Sequence, residues 1–212
     1  MCGLTGLWLT RGASAGHLGD CAGRMAEALV HRGPDDRGVW VDAEAGLALG
    51  FRRLSILELS AAGHQPMLSV DGRYALVFNG EIYNHDELRR ELQQKGARFR
   101  GSSDTEVLLE AIAAWGAVPA LSRVGGMFAM AVWDRQQREL VIARDRMGKK
   151  PLYYTLSTKG ILFASELKAL VACPEFTSRV DRSALTAFMR FGYVPGPQSI
   201  YEGVQKLPPG TY

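Results

Sequence analysis

The order of hydrophobic periodicities along the chain restricts its fold more than any single motif. Leu18, Met25 and Leu29, with Ala22 and Ala26 between them, recur at helical spacing and predict a helix ending near Gly33-Pro34. Strand signals follow over Val39–Val41, Leu47–Leu54 and Tyr74–Phe78. Two helices come next. One starts at Asn84 with a capping-box Glu87 and ends at Gly96; the other starts at Ser103 with Glu106 three residues on, and carries Val107, Leu108, Ile112 and Trp115. A strand meander is then predicted over Met127–Trp133, Leu140–Arg144, Leu152–Leu156 and Ile161–Ser165, and a last helix near Ser183–Phe191. Strands do not alternate strictly with helices, so a doubly wound parallel sheet is excluded in favour of a layered α+β fold with antiparallel sheets.

Composition excludes several function classes. A net charge of +3 over 212 residues, with no block of like charges, gives no surface for nucleic acid or an anionic membrane. Cys2, Cys21 and Cys173 are odd in number, widely spaced and without a Cys-x-x-Cys pair, which argues against a disulfide framework and a zinc site; no metal is expected. The N-terminus lacks a secretory pattern, and the longest apolar runs, such as Met127–Trp133, are too short to span a bilayer, so the cytoplasm is the expected compartment.

The chemistry centres on Cys2, directly after Met1. Removal of Met1 would place a thiol and a free α-amine on one residue. An α-amine titrates near pH ~8 and can serve as the base of its own nucleophile. Alone, Cys2 reads equally as a small residue opening the first strand. His31-Arg32-Gly33-Pro34-Asp35-Asp36 reads as a capped helix end. Arg53 could hold a carboxylate through a bidentate pair or lie on the surface. Asn79-Gly80 signals a type I′ hairpin turn, and its side-chain amide and N–H are also candidate oxyanion donors. Asp104 is either part of a helix cap or the partner of a substrate ammonium. Together these residues supply a nucleophile, a base, an oxyanion hole and a clamp for both charges of an α-amino acid, and an amide-bearing amino acid such as glutamine fits that inventory.

Six ordered strings, Met1-Cys2-Gly3, His31-Arg32-Gly33-Pro34-Asp35, Arg53-Leu54-Ser55-Ile56, Gly63-His64-Gln65-Pro66-Met67, Asn79-Gly80-Glu81-Ile82-Tyr83-Asn84 and Ser103-Asp104-Thr105-Glu106, resemble class II glutamine amidotransferase domains. The nearest likeness is to the glutaminase domain of glutamine-hydrolysing asparagine synthetases. Ala143-Arg144-Asp145-Arg146, Lys150-Pro151-Leu152-Tyr153-Tyr154 and Phe163-Ala164-Ser165-Glu166-Leu167-Lys168 extend it over the whole chain. The resemblance implies a four-layer α/β/β/α N-terminal-nucleophile fold. It implies Cys2 as nucleophile, Asn79 and Gly80 as oxyanion hole, Arg53 for the glutamine carboxylate, and Asp104 and Glu81 for its amino end. Backbone from Leu54 through Ser55 and Ile56 to Leu57 would line the pocket.

Phe51 departs from the family, which often carries a histidine there. The family's Ser-Gly-Gly-x-Asp-Ser loop for ATP pyrophosphate is also missing. The resemblance therefore implies a glutaminase domain over residues 2–180 and a stub over 181–212 leading toward an absent synthetase half, as in a truncated chain or a split enzyme. No cofactor is expected in this chain; ATP and magnesium belong to the absent half. The expected partners are L-glutamine and a synthetase domain in cis or trans. The apolar, Pro-rich tail with Pro195, Pro197, Pro208 and Pro209 predicts self-association, a homodimer being one form. Two alternatives remain open: a glutamine-binding module inactive without its partner, and an ammonia donor to a different acceptor.

Overall fold

The computed structural model describes residues 1–10, 12–55 and 60–212. Among them the chain builds two antiparallel sheets packed face to face, with helices covering both outer faces. The first sheet contains β1 (Gly3–Leu9), β2 (Asp36–Asp42), β3 (Leu47–Arg53), β8 (Tyr153–Ser157), β9 (Gly160–Ala164) and β10 (Val204–Lys206), in the order β10-β8-β9-β1-β3-β2. The second contains β4 (Met67–Leu68), β5 (Tyr74–Ile82), β6 (Gly126–Asp134) and β7 (Glu139–Arg144), in the order β4-β5-β6-β7. Helices α1 (Ala15–Glu27) and α5 (Leu167–Val171) cover the first sheet, and α2 (His85–Gln94), α3 (Asp104–Trp115) and α4 (Ala117–Arg123) cover the second. Helix α6 (Arg182–Phe191) precedes β10.

Strand periodicity divides the core into three layers. Leu4, Leu47, Leu49 and Phe51 of the first sheet meet Ala75, Val77, Ala129, Ala131 and Trp133 of the second. The alternate residues face outward: Leu7, Leu9 and Ala48 pack under Leu18, Met25 and Leu170, while Leu76, Phe78, Met130 and Val132 pack under Leu88, Leu92, Val107 and Ile112. The expected α/β/β/α arrangement is therefore present. Its cause is that both sheets are apolar on two faces, so each needs a helical layer outside and a partner sheet inside.

Three sequence expectations need correction. Asn79-Gly80 is not a hairpin turn: both lie inside β5, Asn79 opposite Ala129 and Gly80 opposite Phe128. Pairing along the whole of β6 outweighs the local turn preference. The strand meander is two hairpins in different sheets, because the chain crosses from β7 to β8 between sheets. The capping box at Asn84 does not form: Asn84 Oδ1 accepts from Gly125 N at 2.8 Å and Nδ2 donates to Arg123 O at 3.0 Å, tying the start of α2 to the start of β6. Ser103 does cap α3, accepting from Glu106 N at 3.2 Å, while the Glu106 carboxylate accepts from Arg100 N at 2.7 Å and Gly101 N at 2.9 Å.

The segment after α6 lies along the domain. Lys206 N donates to Pro197 O (2.7 Å), Leu207 N to Leu152 O (2.8 Å) and Gly210 N to Asp145 O (2.9 Å), while Arg144 N donates to Thr211 O (3.0 Å). Leu207 joins the layer between the sheets. Leu185, Phe188, Met189 and Phe191 of α6 are exposed.

Candidate active site

Side-chain alternation places four of the expected site residues between the sheets at one end of the sandwich. Cys2 shares parity with Leu4, Arg53 with Phe51, and Asn79 and Glu81 with Val77, all on inward faces. Gly3 pairs with Arg52, so Cys2 and Arg53 leave adjacent strands at the same level. Between the two sheets at this end lies a cavity of about 160 Å³ lined by Met1, Cys2, Arg53, Leu54, Asn79, Gly80, Glu81 and Asp104.

The Cys2 thiol is held by the backbone of Leu54, just past the end of the adjacent strand β3. Leu54 N donates to Sγ at 3.4 Å and Sγ lies 3.7 Å from Leu54 O. The N–H is a donor available to a thiolate, which an uncharged acceptor in its place would not be. Leu54 is fixed by the loop preceding β2. Asp35 N donates to Arg53 O at 3.1 Å, and Ser55 N donates to Asp35 Oδ2 at 2.8 Å. Gly33 makes this approach possible: a Cβ there would stand 2.5 Å from Arg52 C and Arg53 N. The His31-to-Asp36 string is thus a brace against the strand end that carries Arg53, rather than only a helix terminus. Arg53 itself is buried and donates to Ser60 O at 3.0 Å.

The open edge of β5 supplies the donors. Antiparallel pairing sends alternate backbone groups to β6 and to the far edge. At that edge Phe78 N donates to Gln65 Oε1 at 2.6 Å and Ile82 N donates to Asp104 Oδ2 at 2.8 Å. The same alternation puts the Gly80 N–H between these two filled positions, facing the cavity. Asn79 is 2% exposed and its Nδ2 has no hydrogen-bond partner among the described residues. A buried donor left unmade costs about 1–3 kcal/mol, so its retention beside a thiol calls for an acceptor that arrives later. Gly80 cannot be enlarged, since a Cβ would stand 2.4 Å from Met127 O and 2.5 Å from Phe128 Cβ.

The acidic end of the cavity is formed by Asp104 and Glu81. Asp104 opens α3, placed there by the Ser103 cap. Burial pushes its carboxyl above the usual carboxylate range, against the pull of N–H groups from Ile82 and Thr105 and of His85, and the Glu81 charge adds to the rise. A cation arriving beside Asp104 would relieve that cost.

Of the expected lining backbone, Leu54 faces the cavity. Ser55 does not line it, its N–H being spent on Asp35. Ile56 and Leu57 fall outside the described residues. The residues that the structure adds to the lining include Gln65 and Lys150, to which the sequence assigned no role. Gln65 lines the cavity and closes on Phe78 with both amide atoms, donating from Nε2 to Phe78 O at 3.2 Å. Lys150 also lines the cavity and is buried. Its backbone belongs to the β7–β8 crossover, where the N–H groups of Met147, Lys149 and Lys150, joined by that of Phe128 in β6, converge on the Asp145 carboxylate at 3.0–3.2 Å. Both residues sit in the quoted strings, but no local spacing distinguishes them from turn residues.

Comparison with known proteins shows the family of the chain. The family described as "Glutamine amidotransferase domain" matches residues 1–212. The chain is 37% identical over 212 residues to asparagine synthetase [glutamine-hydrolyzing] 3 of Bacillus subtilis, covering 99% of this chain and 34% of that protein. It is 42% identical over 227 residues to a putative asparagine synthetase [glutamine-hydrolyzing] of Mycobacterium tuberculosis, covering 100% and 34%. The chain thus spans about a third of the length of these relatives. Among solved structures it resembles the glutamine phosphoribosylpyrophosphate amidotransferase of B. subtilis, with a TM-score of 0.67 and 23% identity over 81% of this chain and 43% of that one, a likeness of fold.

Proposed function

The chain belongs to the glutamine amidotransferase domain family, and on that premise we propose that its cavity hydrolyses the side-chain amide of L-glutamine and releases ammonia. The observation that carries this reading is the meeting, in one cavity, of the Cys2 thiol and the unspent buried Nδ2 donor of Asn79.

Substrate orientation follows from charge. The Arg53 guanidinium takes the α-carboxylate, and Asp104 with Glu81 takes the α-ammonium. The side-chain amide then lies toward Cys2. With Met1 removed, the α-amine of Cys2 accepts the thiol proton and Sγ attacks the amide carbon. Asn79 Nδ2 and the Gly80 N–H hold the oxyanion. The tetrahedral centre collapses with proton transfer to nitrogen, ammonia leaves, and a γ-glutamyl thioester remains. Water, deprotonated by the same amine, cleaves the thioester to glutamate and restores the thiol.

The relatives' names and their remaining length support a destination for the ammonia: a synthetase domain, in cis or in trans, that makes asparagine. ATP and magnesium act in that domain. No helix among the described residues is long and apolar enough to cross a membrane.

The test combines intact mass with an electrophilic glutamine analogue. Loss of Met1 and a single adduct mapped to Cys2 are expected, with glutamine hydrolysis abolished in a folded Cys2→Ala variant. Full hydrolysis by that variant refutes the proposal. Calorimetric glutamine binding by processed protein without adduct or ammonia would favour a binding module instead.

A further inference from the structure

We infer that Glu166 is a positioning residue for the nucleophile, acting through Arg32; the inference rests on the reading of Cys2 as that nucleophile. Neither Glu166 nor Arg32 lines the cavity. Arg32 is 8% exposed, and its Nε donates to the carbonyl oxygen of Cys2 at 2.9 Å. Its NH1 donates to Glu166 Oε1 at 2.8 Å. One planar guanidinium therefore spans the main chain of Cys2 and a carboxylate from beyond β9, 134 residues along the chain from Arg32.

The carboxylate is itself fixed from several sides. His31 Nε2 lies 3.0 Å from Oε1, and Lys168 Nζ lies 3.6 Å from Oε2. Lys168 also stands 3.1 Å from His31 Nδ1. An ammonium can only donate, so in this network Nδ1 accepts and Nε2 carries the hydrogen that goes to Glu166. Burial raises the Glu166 carboxyl, but the Arg32 and His31 bonds outweigh it and hold the group below the usual glutamate value. Glu166 therefore stays an anion wherever the enzyme would work.

The preceding residue locks the same strand. Leu4 N donates to Ser165 Oγ at 3.1 Å and Ser165 N donates to Leu4 O at 2.9 Å. Cys2 is thus held at its carbonyl by Arg32 and at Sγ by Leu54, with Ser165 fixing the strand two residues on. The carbonyl matters because its direction sets ψ of Cys2, and with it how the Cα–Cβ bond leaves the backbone. Glu166 orients the guanidinium that holds that carbonyl. The acid does not contact the cavity, so its loss should move the thiol without altering the binding groups.

The experiment uses full chain with Met1 removed, as wild type, Glu166→Gln and Glu166→Ala. Glutamine kcat and KM are measured, together with the rate of Cys2 exchange with 4,4′-dithiodipyridine, mapped by peptide mass because Cys21 and Cys173 are also thiols. A displacement of about 1 Å from attack geometry costs up to ~100-fold, so kcat should fall ~10- to 100-fold in Glu166→Ala. The loss should be smaller in Glu166→Gln, which keeps an oxygen for Arg32. KM should stay within about threefold, the signature of a group that does not bind substrate. Thiol exchange should slow in the same order. In an Arg32→Lys background, Glu166→Ala should add little further loss, since the pair acts as a unit. Glu166→Gln guards against misfolding, because Glu166→Ala leaves a buried guanidinium unpaired. Wild-type kcat in Glu166→Ala, a loss carried by KM, or unchanged thiol exchange would each overturn the inference. A wild-type chain that does not hydrolyse glutamine would defeat the proposed reaction, while the order of thiol-exchange rates would still decide the positioning role.

Discussion

Replacing Asn79 with alanine separates catalysis from folding. The Asn79 Nδ2 is buried without a partner among the described residues, and an unmade donor of this kind costs about 1–3 kcal/mol. Alanine removes that cost and leaves a small void whose penalty is about 1 kcal/mol, so the two nearly cancel or favour the variant. At about 2–4 °C per kcal/mol for a chain of this size, the melting temperature should be unchanged or a few degrees higher. In the transition state the balance reverses. Losing one oxyanion donor costs about 2.7–4 kcal/mol, a ~10²- to 10³-fold fall in kcat. KM should barely move, because the donor meets full charge only after attack. Coupled glutamate release and a thermal melt on the same preparation measure both quantities. A kcat within about threefold of wild type, or a large fall in melting temperature, would show that Asn79 is a structural pin and that the oxyanion argument is wrong.

Other outcomes follow from the same geometry. Asp104 must be ionised to hold an ammonium, and burial raises its pKa, so glutamine KM should improve as pH rises through a limb above the usual carboxylate range. Asp104→Asn should abolish that limb and weaken glutamine by about 2 kcal/mol or more, seen in a KM–pH profile. For folding the sign is opposite: the raised value means the folded chain binds this proton more tightly, so the cost of the Asp104 charge is relieved as pH falls through the same window. Gly80→Ala drives a Cβ into Met127 O and Phe128 Cβ, and should destabilise the domain by about 1–3 kcal/mol in urea melts along with losing activity. Asp145→Asn replaces one of two oxygens that each accept two N–H groups, costing about 1–3 kcal/mol per stranded donor. Burial raises the Asp145 carboxyl, but its N–H donors win and lower it, so the stabilisation is full above the usual aspartate range and lost as pH falls through the depressed value; an acid-unfolding titration should lose that component in the variant.

Much of the architecture was legible because strand periodicity survives burial on two faces. Ala75, Val77 and Phe78 read as a buried strand, and β5 does begin there. Its continuation through Asn79 and Gly80 was hidden because local turn preference carries no information about β6, some fifty residues later in the chain. Cys2, Arg53, Asn79 and Asp104 could each be picked out as chemistry, yet only the common inward parity of their strands brings the first three together. Gln65 and Lys150 were not legible as cavity residues. Gln65 is placed by its bond to Phe78 on β5, and Lys150 by a turn around Asp145 whose carboxylate is itself anchored to Phe128 of β6, so neither placement can be read from local spacing. The role of Gly33 was likewise invisible, since it depends on how closely a loop presses against Arg52 and Arg53.

The crossover between sheets also acts as a splice. Arg144 donates to Lys150 O (2.7 Å), Leu207 O (2.7 Å) and Gly148 O (2.5 Å), while its own N–H is tied to Thr211. The loop that delivers Lys150 to the cavity wall and the final residues of the chain therefore share one guanidinium as their rivet. A load applied at Tyr212 meets the backbone bonds of Thr211 and Gly210 to Arg144 and Asp145 first, and that guanidinium next. The cavity wall and the residues from Leu207 to Thr211 are thus anchored to one and the same residue, Arg144.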